Sequence, residues 1–178
     1  MGTKHGEWFD LTKHLQIHTD VISDYNWLIK AGQNSYTVNS IDLGDSLEIT
    51  HEIKFETHNG YGIEIFKRTQ TSTEKPPKYG LTEMFRYNCF SKKSDYHLMY
   101  HSNHSEKYNP NAPWHLRPHR HEFDGKIQKL SVYSKDFRPA EERKRKYTLK
   151  DCPVDLTFLE QEDWPHVKEF LDEVSHLK

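Results

Sequence analysis

The sequence predicts an α+β fold, an antiparallel β-sheet with one helix before it and one behind it. Three observations carry this. From Ser35 to Thr69 apolar residues recur every second position, the period of strands with one buried face. The runs are separated by the turn signals Gly44-Asp45 and Asn59-Gly60. Near each end the spacing changes to three and four, the period of an amphipathic helix.

In chain order, Leu11, Leu15, Val21, Ile22, Tyr25, Leu28 and Ile29 fall on one face of a helix that Gly32 would stop. The β-branched Ile17, Thr19, Val21 and Ile22 are equally compatible with a bent or broken helix. Strands are expected at Tyr36 to Leu43, Leu47 to Thr57 and Tyr61 to Thr69. In the second, Leu47, Ile49, Ile53 and Phe55 mark the buried face and Glu48, Thr50, Glu52, Lys54 and Glu56 the wet one. The polar run Thr69 to Lys78 contains two adjacent prolines and reads as an exposed loop or hairpin tip. Met84 to Phe90 and Tyr96 to His101 read as a further hairpin around Lys92 to Asp95, with Arg86, Tyr87 and Asn88 alongside His97, Tyr100 and His101. Asn103 to Pro118 is too proline-broken for regular structure and has the length of a functional loop. His119 to Phe123 and Ile127 to Ser134 should resume the sheet around Asp124-Gly125, and Arg138 to Lys146 is a basic loop or short helix. Asp163 as N-cap and Pro165 in the first turn open a closing helix that buries Val167, Phe170, Leu171 and Val174.

With 178 residues the chain is read as one α+β domain, 1–178, in which 1–69 supplies the first helix and strands and 82–178 the remaining core. A formal charge of −2 gives no global attraction to nucleic acid, so any such binding must rest on local basic patches. Cys89 and Cys152 lack the paired spacing of a zinc site, and no signal peptide or apolar run long enough to cross a bilayer is read. Both are expected as free thiols in a reducing cytoplasm.

Six of the thirteen histidines fall between Tyr96 and Gly125. Imidazole titrates near neutrality, and beside Arg117, Arg120, Tyr100 and Asn103 the cluster provides a base, an acid and fixed cationic donors, the parts needed to cleave RNA through its own 2′-hydroxyl without a cofactor. Strand alternation sets a condition: Tyr96, Leu98 and Tyr100 lie on one face and His97, Met99 and His101 on the other, so both rows cannot serve one site. Trp114 is placed to stack on a base or to plug the loop onto the sheet. Arg143, Lys144 and Arg145 would track a phosphate backbone or form a solvated charged surface. His101, His104, His115, His119 and His121 also have roughly the spacing of metal ligands, although they match no zincin or finger signature.

The motif Tyr100-His101-Ser102-Asn103-His104, followed by His119-Arg120-His121 and a closing helix, resembles the TumE family of toxins from prokaryotic toxin–antitoxin modules. The likeness covers Thr82 to Leu177. It implies a small ribonuclease-like toxin neutralised by a protein antitoxin, with Tyr100, Asn103, His119 and His121 in the site. The family's acidic position after tyrosine is His101 or Ser102 here, and the strands before Thr69 are additional. The expected catalytic set is therefore His119, His121, Arg120, Tyr100, Asn103 and His101, with Arg117, Trp114, Arg143, Lys144 and Arg145 as substrate contacts, RNA and a protein as partners, and no metal or cofactor. Two other classes stand beside it, a non-catalytic module binding nucleic acid or protein, and a zinc-dependent hydrolase.

Overall fold

In the computed structural model, residues 8–10, 23–32, 34–75, 77–102, 118–133, 148–149, 152–159 and 167–178 are described. Among the described residues ten strands form one sheet. They are β1 (Trp8–Asp10), β2 (Ser35–Asp42), β3 (Leu47–Glu56), β4 (Tyr61–Thr71), β5 (Tyr79–Ser91), β6 (His97–His101), β7 (His119–Phe123), β8 (Gln128–Tyr133), β9 (Thr148–Leu149) and β10 (Cys152–Leu159). Helix α1 (Val167–Ser175) follows. The spatial order is β2-β3-β4-β5-β6-β7-β8-β10-β9, with β1 beside β5.

From β2 to β8 every strand pairs antiparallel with the next, as the short turns at Gly44-Asp45, Asn59-Gly60, Lys92 to Asp95 and Asp124-Gly125 require of the hairpins they join. The β3–β4 turn closes with Thr57 N–H donating to the Tyr61 carbonyl at 2.8 Å, and Gly60 supplies the left-handed residue at φ 92°. Gly62 has a different reason to be glycine: it faces Phe90 on β5, and a Cβ there would lie 2.3 Å from the Phe90 ring.

The side chains of β3 to β6 divide between two faces. Ile53 and Phe55 of β3, Ile63 and Ile65 of β4, Phe85, Tyr87 and Cys89 of β5, and Leu98 and Tyr100 of β6 form a buried layer under α1. The helix contributes Val167, Phe170, Leu171 and Val174, the four residues whose spacing marked its apolar face. Phe170 packs with its ring centroid 5.7 Å from Tyr87 and 5.5 Å from Tyr100. Ile49 is buried as well, whereas Leu47 is only half-buried. Cys89 is a free thiol in this layer, and burial, reinforced by the Glu173 charge, pushes its pKa up to about 12.

The structure departs from the expectation at three places. A helix running to Gly32 is not shown: residues 11–22 lie outside the described residues, Ser23 and Asp24 are helical, and a turn over 25–28 leads to a bridge between Ile29 and Thr57. Tyr25, Leu28 and Ile29 are buried as their spacing requires. Their backbone nevertheless joins the sheet, with Lys30 N–H donating to Glu56 and His58 N–H to Leu28. Second, β5 begins at Tyr79, five residues before the expected start, because its first residues hold β1. Third, the sheet is not wholly antiparallel, since β10 runs parallel to β8 with Leu156 beside Leu130. The expected N-cap Asp163 and first-turn Pro165 lie outside the described residues. Among the described residues no helix is long and apolar enough to cross a membrane.

Candidate functional site: a three-histidine cluster on the far face of the sheet

The sequence His119-Arg120-His121 lies in β7, where alternation sends the two imidazoles to one face and the guanidinium to the other. The face away from α1 receives the imidazoles. On the neighbouring β6, His101 pairs directly with His119, and paired residues share a face. The three rings therefore meet, with centroids 5.6 Å apart for His101 and His119, 5.5 Å for His101 and His121, and 4.7 Å for His119 and His121. His119 is 0% and His121 5% exposed, and His101 is partly buried. The His121 Nδ1 lies 2.7 Å from Gln128 Nε2. With that amide donating, Nδ1 accepts, and the proton of neutral His121 sits on Nε2.

Two further residues of this face come from β5. Arg86 pairs with His101, is exposed, and holds its guanidinium carbon 5.7 Å from the Phe66 ring centroid. Asn88 pairs with Met99, and its buried Oδ1 has no hydrogen-bond partner among the described residues. Three imidazoles in contact, flanked by an arginine and an amide, supply ring nitrogens that accept or donate hydrogen bonds and cationic and amide donors that suit an anion. Arg86 and Gln128 were not among the site residues expected from sequence. The signal for Arg86 lay in the expected β5–β6 pairing, which sets it across from His101.

Tyr100 and Arg120 do not join this cluster. Tyr100 donates its hydroxyl proton to the Glu173 carboxylate of α1. Arg120 binds the same carboxylate through Nε at 3.0 Å and through Nη2, and it reaches Glu122 at 2.9 Å. Burial opposes the Arg120 charge, but Glu173 and Glu122 more than offset it and hold the guanidinium firmly protonated. The expected assignment of both residues to the histidine site thus fails on strand alternation, because they bind the helix on the opposite face. Asn103, His104, Trp114, His115, Arg117, Arg143, Lys144 and Arg145 lie outside the described residues. Among those described, no group of three or more His, Cys, Asp or Glu side chains is arranged to hold a metal ion.

A separate titratable pair lies under the helix side of β3 and β4. His51 is 1% exposed, pairs with the buried Lys67, and shares a 3.0 Å hydrogen bond with the Tyr36 hydroxyl. Burial first, then the Lys67 charge, lowers its pKa from 6.5 to about 4. The unfolded chain therefore binds a proton between these values that the folded chain refuses, so stability is full above pH 6.5 and falls as the pH drops toward 4. That separation is worth roughly 3 kcal/mol. Urea denaturation at pH 7 and pH 4.5 should show a loss of this order attributable to His51, and His51→Gln should lack it. An unchanged acid-side slope in the variant would refute the assignment.

No protein-family model matches this chain, and no curated protein or solved structure is significantly similar to it.

Proposed function

We propose that the chain is a metal-independent endoribonuclease-like toxin or defence nuclease, whose proton transfers are carried by His101, His119 and His121. The observation behind this reading is the meeting of three imidazoles within 5.6 Å on one strand pair. One imidazole removes the 2′-hydroxyl proton of an RNA substrate, and the resulting oxygen attacks the adjacent phosphorus to form a 2′,3′-cyclic phosphate. A second, protonated imidazole gives its proton to the departing 5′-oxygen. Arg86, paired with His101, takes the cationic role that the sequence alone assigns to Arg120. Tyr100 and Arg120 become positioning residues that fix β6 and β7 to the helix. Asn103, Trp114 and Arg117, between Ser102 and Pro118 in the chain, and Arg143, Lys144 and Arg145 would add substrate contacts. The resemblance to TumE toxins adds a protein antitoxin or complex subunit as partner, and the cysteine usage favours a cytoplasmic setting.

A second reading, a non-catalytic module binding nucleic acid or protein, is favoured by one specific observation: His119 is 0% exposed, so solvent does not reach it in this conformation. The two separate on a single-stranded oligoribonucleotide. An enzyme of the proposed kind cleaves it with a bell-shaped pH profile near neutrality, and a single 2′-deoxy substitution at the cleaved position abolishes the reaction by removing the nucleophile. Binding without cleavage, or equal cleavage of DNA, would leave the binding module ahead.

A further inference from the structure

The edge of the sheet formed by β2 carries an inference independent of the histidine cluster. All eight residues of Ser35–Asp42 are exposed, and β2 ends the strand order with β3 as its neighbour in it. Four of the seven large hydrophobic side chains exposed among the described residues lie here, Tyr36 at 42%, Val38 at 46%, Ile41 at 56% and Leu43 at 48%. Such a local concentration of apolar surface marks an interaction site.

Their distribution points to the mode of contact. Tyr36 and Val38 pair with Ile53 and His51 and share the helix side of the sheet, while Ile41 pairs with Glu48 on the far side. A partner lying against one face would leave half of this surface in water. A strand added along the edge covers both faces and also satisfies the outward N–H and C=O groups of β2. The devices that normally block such addition are absent: residues 35–43 contain no lysine, arginine or proline, and the β2–β3 register runs from Ser35–Lys54 to Asp42–Leu47 without a bulge.

We propose that this edge pairs antiparallel with β2 of a second copy of the chain across a two-fold axis, joining the two sheets into one. Charge favours this occupant. Asp42, at the end of the strand, is its only charged residue, so the seven uncharged residues Ser35 to Ile41 can face their own copy without like charges meeting. Pairing centred on Val38 or on Asn39 sets Asp42 opposite the neutral Asn34 or Tyr36 of the other copy, never opposite its counterpart. A closed two-fold contact uses both edges and leaves neither to extend into a fibre.

Analytical ultracentrifugation of the full chain from 1 to 200 μM, as roughly chosen to span weak association, should show a dimer that dissociates on dilution. Val38→Lys with Ile41→Lys places charges at exposed positions and should shift the protein to monomer at every concentration. Circular dichroism reports whether the variant keeps the fold. Amide hydrogen exchange of the unaltered chain gives a second reading that needs no variant, because residues 35–42 should be protected at alternate amides in a monomer and at nearly all of them in the dimer. A wild-type monomer at 200 μM, a dimer unmoved by the double substitution, or a dimer lacking added protection at β2 would each overturn the proposal.

Discussion

Alanine at either His119 or His121 should slow cleavage of an oligoribonucleotide by roughly 10²–10⁴-fold, the loss that accompanies removal of a general acid or base. The geometry gives both rings the same standing: they share a face of β7, 4.7 Å apart, and each lies within 5.6 Å of His101. Because His119 is wholly buried, truncation there also leaves a cavity, so thermal melts must accompany the rates. His119→Gln retains most of the volume and should lose activity to a similar degree while melting close to the parent. Arg86→Ala should lower the rate more than it lowers RNA affinity, since a cation aimed at developing charge acts mainly in the transition state. Full activity in the double variant His119→Ala, His121→Ala would end the mechanism.

Removing Glu173 should cost roughly 1–3 kcal/mol, because it leaves the half-buried Arg120 guanidinium with a single remaining carboxylate and takes the acceptor from Tyr100. Urea denaturation of Glu173→Ala measures this directly. Replacing both partners, Arg120→Met with Glu173→Leu, should recover much of the loss, since an apolar pair of similar size requires no compensation for buried charge. The double variant also tests where Arg120 acts. If its work is to bind helix to sheet, the refolded double variant keeps its RNA cleavage; loss of cleavage in a stable double variant would return Arg120 to the reacting centre.

The legibility of this molecule in its sequence follows strand periodicity. β3, β4 and β7 were readable because each has one buried face and a turn signal beside it, and the closing helix was readable from four apolar residues at helical spacing. β10 was not: its partner β8 is no neighbour in the chain, and parallel pairing leaves no hairpin signal. The first residues of β5 were obscured by the adjacent prolines that precede them. At the site, His101, His119 and His121 were identified together, and alternation correctly separated Tyr100 from His101. Arg120 was grouped with its sequence neighbours although the same rule, applied to β7, turns it toward Glu173. Proximity along a strand is proximity to opposite faces. His51 gave no signal, because one histidine in an alternating strand does not reveal whether its face is covered.

The attachment of the chain's last residues has a consequence for the order of assembly. Tyr61 donates from its hydroxyl to the Lys178 carbonyl, Asn59 from its amide to Leu177, and Tyr25 to Asp172, across separations of 117, 118 and 147 positions. The hairpins from β2 to β5 close loops of only a few residues. Bringing distant segments together costs more chain entropy, and that cost falls before the contacts that offset it exist. The meander is therefore expected to zip first and the helix to arrive late, so the apolar layer of Ile53, Ile65, Tyr87 and Leu98 passes through a stage in which it faces water. Such a stage would expose an uncovered sheet surface, so the yield of refolding is expected to fall as protein concentration rises.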